Sequence, residues 1–141
     1  MKPTLHQGLT GSSSLVVGLP LTASAGGSLF PRFEDAPLAL STMGLVGFVE
    51  QASMDLLAPH LEGDEFSVGI DVELTHATPT PVGATIRADL QVIVVEPKTV
   101  LFAVTVSDDE SVISVGQHRR AILNRGRYDN RLAAKAERLR G

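Results

Sequence analysis

The 141-residue chain predicts an α+β fold, and three observations carry that reading. The stretch "LALSTMGLVGFVEQASMDLL" at 38–57 is apolar nearly all round, the signature of a helix buried on every side. Segments between 66 and 123 then carry strand patterning with no second long helix among them. A charged stretch, "YDNRLAAKAERLR", closes the chain as a surface helix.

Taken in order, residues 1–14 are rich in Gly and Ser and predict a flexible lead. Residues 15–19 predict a short strand, followed by a Gly- and Pro-punctuated loop through Pro31 and Pro37. The helix comes next: Ser41 or Thr42 can cap its start with a hydroxyl, and Pro59 and Gly63 stop it. In 66–76 the even positions are Phe66, Val68, Ile70, Val72, Leu74 and His76, while the odd ones are small or polar. That alternation predicts a strand with one dry face, and it sets His76 on that face. Ile86, Ala88, Leu90, Val92 and Val94 mark a second strand over 84–95. After the turn at Glu96-Pro97-Lys98, Val100, Phe102, Val104 and Val106 share a face, and "SDDES" turns the chain into 112–123. A basic helix is expected over 126–140. One long helix wrapped by an antiparallel sheet is the hot-dog architecture, and 1–141 reads as a single hot-dog domain. Subunits of that architecture commonly pair through edge strands and helices, so a homodimer is expected.

Composition sets outer limits. Hydrophobic residues make up 43% and charged residues 20%, which is ordinary for a globular chain. With no cysteine, disulfides, thiolate metal sites and a cysteine nucleophile are excluded. The net charge of −4 argues against nucleic acid as a partner. That charge is uneven: residues 1–124 hold 6 Lys/Arg against 14 Asp/Glu, and residues 125–141 hold 6 against 2. A basic helix docked on its own acidic body is the simpler reading, and a grip on a phosphorylated ligand is the other. "LVVGLPL" at 15–21 and "ASAG" at 23–26 imitate a secretory signal, but the run is short and broken by Gly18 and Pro20. No run is long enough for a membrane span, so a cytoplasmic location without a membrane partner is expected.

Two residues stand out chemically. Glu50 sits in "VGFVEQASM", where a carboxylate is costly unless paired. It reads either as a tolerated polar position at a helix edge or as a catalytic carboxylate. His76 ends the dry face of its strand, the face expected to pack on that helix, which would give it Glu50 as a neighbour. His118 reads as a strand residue near the pocket, His6 and His60 as solvated, and no metal-ligand spacing is present. Arg119 and Arg120 alternate in direction along a strand, so only one is expected to face a ligand, and the plainer reading of either is a surface charge paired with one of the many acids.

The segments "STMGLVGFVEQA" at 41–52, "SVGIDVELTHATPTPVG" at 67–83 and "VGQHRRAI" at 115–122 resemble the fluoroacetyl-CoA thioesterase-like family of hot-dog proteins. The resemblance runs from about Pro31 to Leu123. It implies hydrolysis of a short acyl-CoA thioester by a Thr–Glu–His set, which falls on Thr42, Glu50 and His76. It also places Gly69 at the backbone amide that contacts the thioester carbonyl and Arg120 at a recurrent arginine position, both expected to bind substrate, with no cofactor beyond the CoA of the substrate. The fluoroacetyl-specific form carries an aromatic gate before the helix. Here the segment reads "FEDAPLAL", with Ala36 at the matching position and Phe33 the nearby aromatic. A broader range of short or branched acyl groups is therefore expected.

Residue types fit that chemistry. A thioester carbonyl needs a nucleophile, a proton carrier and donors for the developing oxyanion. Glu50 can attack directly or activate water, and His76 can carry the proton or position the water. Thr42 can orient the carboxylate or the substrate, or simply cap the helix, and Gly69 can mark a close approach or a β-bulge. Helix arithmetic adds a constraint: eight residues separate Thr42 from Glu50, about 12 Å along one helix. Either the helix begins after Thr42, or the two serve one site from different subunits, crossing near Val46 between Gly44 and Gly47. A hot-dog hydratase would favour a different Asp/His motif, which is absent. The remaining alternative is a non-catalytic acyl-CoA binding or sensing module, although no DNA-binding extension accompanies it.

Overall fold

The computed structural model describes residues Met1–Gly141. Seven long elements follow one another: β1 (Thr10–Val16), α1 (Thr42–Leu57), β2 (Glu65–Leu74), β3 (Thr85–Val95), β4 (Thr99–Ser107), β5 (Val112–Asn124) and α2 (Arg125–Arg140). The strands form one antiparallel sheet in the order β1-β3-β4-β5-β2, so β1 and β2 are its two edges. This is the expected α+β arrangement.

The helix begins where a hydroxyl can take an orphaned donor. Ser41 is its N-cap, its Oγ accepting from the Gly44 N–H at 2.9 Å and donating to the Leu21 carbonyl at 2.9 Å. Gly44 is required there, because a Cβ would stand 2.6 Å from the Leu21 carbonyl oxygen. One face of α1, with Leu45, Phe48, Val49, Ala52 and Leu57, is buried against the sheet. Each large side chain buried in this way contributes about 1.5–3 kcal/mol. The sheet answers with Ile86, Leu90, Val92, Val100, Phe102 and Val106, all in the same core.

Several expectations change in detail. α1 is not buried all round: Met43, Gly47, Gln51, Met54 and Asp55 lie exposed along its other side. The first strand begins at Thr10, inside the stretch expected to be loose, because "TGSSSLV" pairs along β3 from Thr10 opposite Gln91 to Val16 opposite Thr85. α2 starts at Arg125, with Asn124 as its cap accepting from the Arg127 N–H at 3.0 Å. Its ion pairs are internal, Arg125 with Asp129 and Arg140 with Glu137, rather than with the acidic body. What docks α2 is Asn124 Nδ2 donating to Asp64 at 2.7 Å and Tyr128 set edge-on to Phe66, with ring centroids 5.1 Å apart.

The largest correction concerns β2. Residues directly opposite in an antiparallel pair share a face. Gly69 lies opposite Arg120 and Asp71 opposite Arg119, so β2 holds one extra residue at Ile70. The alternation is reset there. Ser67 and Gly69 share the inner face with buried Ile122 and Arg120, and beyond the bulge Val72 joins buried His118. Phe66 and Val68 therefore lie on the outer face, opposite Leu123 and Ala121, contrary to the uniform even-number pattern. A bulge in β3 between Val92 and Val94 acts alike, leaving Val92 buried and Val94 exposed.

Candidate active site

The expected site residues fall into two clusters, one at each end of the first turns of α1. The first forms at the helix start. Because Ser41 supplies the cap, the Thr42 hydroxyl is free for another partner, and it stands 3.0 Å from His76 Nδ1. His76 lies two residues beyond β2, where the chain still follows β5 through Thr75 N–H to the Val115 carbonyl and Ala77 N–H to the Ile113 carbonyl. Its Nε2 is buried without a hydrogen-bond partner. Thr42 and His76 line a cavity of about 390 Å³ together with Phe33, Ala36, Leu40 and Met43, and its walls are mostly apolar. The two acyl-pocket residues expected from sequence thus share a cavity with two of the three expected catalytic residues.

The second cluster surrounds Glu50. Its Oε1 accepts from Arg120 Nη1 at 3.2 Å, and it is the β2 bulge that brings Gly69 beneath it. A Cβ at Gly69 would collide with Glu50 Oε1 and lie 3.1 Å from His118 Cε1, so only glycine lets the carboxylate sit there. Of the two adjacent arginines, Arg120 is the inward one, only 3% exposed. Its guanidinium is almost fully used: Nε donates to Ser67 Oγ at 2.9 Å, Nη2 to the Ser67 carbonyl at 3.1 Å, and Nη1 to both Glu50 and His118 Nε2. Burial pulls its pKa below the ordinary arginine value, and Glu50 opposes that pull through its charge and its hydrogen bond. Glu50 itself is partly open, its side chain 42% exposed, within a cavity of about 340 Å³ lined by Val46, Gly69, Val72 and His118.

His76 does not meet Glu50 within the chain; its partner is Thr42. Since α1 begins at Thr42 itself, the helix carries both Thr42 and Glu50, and the first of the two geometric escapes is closed. One participant, Ser67, was missed by sequence reasoning, while His118, read as a strand residue near the pocket, lines the Glu50 cavity from β5. Ser67 counts as wet-face until the bulge turns it inward. His118 had a usable signal: it stands two residues from Arg120 on one strand and so shares its face. No group of three or more His, Asp or Glu side chains is arranged to hold a metal ion. No helix is long and apolar enough to cross a membrane.

The family model described as fluoroacetyl-CoA-specific thioesterase matches residues 30–126, well over half of the chain. The chain belongs to that family. A fluoroacetyl-CoA thioesterase from Streptantibioticus cattleyicolor is 30% identical over 105 residues, covering 74% of this chain and 76% of the relative. Among solved structures, the fluoroacetyl-CoA thioesterase FlK superposes with a TM-score of 0.89 at 27% identity, over 93% of this chain and 97% of that one. A thioesterase superfamily member from Thermus thermophilus, at 24% identity and a TM-score of 0.84 over 99% and 98% of the two chains, shares the fold. The hot-dog architecture read from the order of elements is thereby established, and within it the family's helix and strand segments carry both clusters.

Proposed function

We propose that the protein hydrolyses a short-chain acyl-CoA thioester to the free acid and CoA, using Thr42, Glu50 and His76 in composite sites of a homodimer. The observation that carries this reading is the division of those residues within one chain. Thr42 and His76 are bonded to each other at an apolar cavity, while Glu50 is bonded to Arg120 about two helical turns away. Family membership, and relatives whose names specify fluoroacetyl-CoA thioesterase activity, support the reaction type.

The surface next to both clusters supports the dimer. β2 is an open sheet edge with Ile70 52% and Val72 43% exposed, and the exposed side of α1 carries Met43, Gly47 and Met54 beside it. An unpaired apolar edge invites a second strand, and a helix surface with a bare glycine lets a second helix approach closely. Two α1 helices crossing antiparallel near Val46 bring Glu50 of the partner subunit opposite Thr42 and His76. The unpartnered Nε2 of His76 then gains a carboxylate or a water held by it.

In this arrangement the acyl group enters the cavity lined by Phe33, Ala36 and Met43. Glu50 either attacks the carbonyl carbon or takes a proton from the attacking water. The C–S bond then breaks, and the thiolate leaves with a proton delivered through His76. Where Glu50 attacks, the resulting anhydride is opened by water and the carboxylate is restored. The Gly69 bulge supplies the backbone donor for the oxyanion. With Ala36 rather than an aromatic side chain in the cavity wall, acyl groups larger than acetyl are accepted and fluoroacetyl is not singled out. A thiol-release assay over straight and branched acyl-CoAs tests the function. Turnover across several of them is expected, whereas tight binding without turnover of any would make the protein a sensing module.

A further inference from the structure

A buried histidine outside the Thr–Glu–His set lies behind Glu50. His118 is 2% exposed, in the middle of β5, and every hydrogen-bonding atom of its ring is occupied. The Asp71 carbonyl stands 2.9 Å from Nδ1, and a carbonyl only accepts, so Nδ1 carries the proton. Nε2 is left with a lone pair, and it accepts from Arg120 Nη1 at 3.1 Å. The same Nη1 donates its other hydrogen to Glu50 Oε1. A chain of fixed hydrogen bonds thus runs from the Asp71 carbonyl at the β2 bulge, through His118 and Arg120, to the carboxylate.

We propose that His118 is a positioning residue for the thioesterase reaction: its neutral Nε2 fixes the rotation of the Arg120 guanidinium, which in turn aims Glu50. The proposal rests on the functional reading above. An imidazolium there would turn an N–H toward an N–H of a guanidinium, so the link exists only with His118 neutral. Burial keeps it so, holding its pKa below the ordinary histidine value, and the Arg120 charge works in the same direction, against the Asp71 hydrogen bond and the Glu50 and Asp71 charges. Ser67 grips the far side of the guanidinium through Nε and Nη2. His118 and Ser67 together leave Nη1 one direction in which to present its second hydrogen. A well-aimed partly exposed carboxylate needs such a support, because a carboxylate misplaced by ~1 Å loses up to about 10²-fold in rate.

The test compares His118→Leu, His118→Gln and Arg120→Met with the wild type, singly and with the two sites combined, in steady-state acyl-CoA hydrolysis. His118→Leu should lower kcat by about 10-fold to 100-fold with little change in KM, since no substrate contact is removed. Gln can return an acceptor oxygen near the Nε2 position, so His118→Gln should keep most of the activity. In an Arg120→Met background His118→Leu should cost nothing further, because its effect passes through Arg120. Near-wild-type kcat in folded His118→Leu, or a full additional loss without Arg120, overturns the proposal. If His118→Leu fails to fold, nitrogen NMR of the wild-type imidazole decides: a protonated Nδ1 with an unprotonated Nε2 at neutral pH supports the link, and the opposite tautomer or an imidazolium refutes it. That readout needs no turnover, so it separates failure of this link from failure of the thioesterase assignment.

Discussion

The two clusters on α1 are built in opposite ways. Thr42 and His76 share one hydrogen bond at the open end of the helix, beside an apolar cavity and a loop that follows the last residue of β2. Glu50 belongs to a network of buried groups, in which Arg120 and His118 are nearly solvent-free and the backbone of β2 supplies two fixed acceptors, the Ser67 and Asp71 carbonyls. The cavity side shapes what is bound; the network side holds a charge still. Acyl preference should therefore respond to changes near Thr42, and rate to changes near Glu50.

The largest effect expected from that contrast is on Glu50. Glu50→Gln should cut turnover by ~10²-fold or more while leaving the fold intact, the scale for a positioned acid–base group. Turnover close to wild type in the folded variant would remove Glu50 from the reaction. On the cavity side, Ala36→Phe should narrow the acyl range. The ratio of kcat/KM for a branched acyl-CoA to that for acetyl-CoA should fall by about 10-fold or more, as a filled pocket rejects added methylenes. An unchanged ratio would place the acyl group elsewhere.

The smallest effect is a pH signature of the network. The folded His118 pKa lies below the ordinary 6.5 because burial disfavours its charge. Between that lower value and 6.5 the unfolded chain binds a proton that the folded protein refuses. Stability is then full above 6.5 and declines as pH falls toward the folded value, by at most about 1.4 kcal/mol per pH unit. His118→Gln should flatten denaturant-derived stability in that window. Asp108 and Glu65 titrate from lower ordinary values, 3.8 and 4.5, and both are held lower still, so their acid losses fall further down. An identical slope with Gln at position 118 would show that His118 is not held neutral.

Sequence patterning reached the fold because most of the core obeys simple periods. In β4, Val100, Phe102, Val104 and Val106 alternate without interruption, and all four are buried. It failed at β2 for a local reason. A bulge inserts one residue without any change in composition, so the parity that is right for Val72 and Leu74, carried back across Ile70, puts Ser67 and Gly69 on the wrong face. That single insertion hid the Ser67 contact. α1 looked buried all round because Met43, Gly47 and Met54 carry no charge, and in the isolated chain that side is open. Glu50 and His76 were legible as residues out of keeping with their surroundings, and Arg120 through the family resemblance; their grouping was not, since it depends on where the helix starts and which hydroxyl caps it. Ser41 rather than Thr42 takes the cap, and that choice frees Thr42 for His76.

The central claim is that one site draws Thr42 and His76 from one chain and Glu50 from another. Co-expression of His76→Ala and Glu50→Gln chains tests it directly. Each homodimer lacks an essential group at both sites, but a mixed dimer regains one complete site, formed by the unmodified His76 of one chain and the unmodified Glu50 of the other. With random pairing about one quarter of wild-type activity should return, since half of the dimers are mixed and each holds one of two sites. If purified mixed dimers are no more active than either parent, the catalytic groups do not combine across subunits and the composite site is wrong.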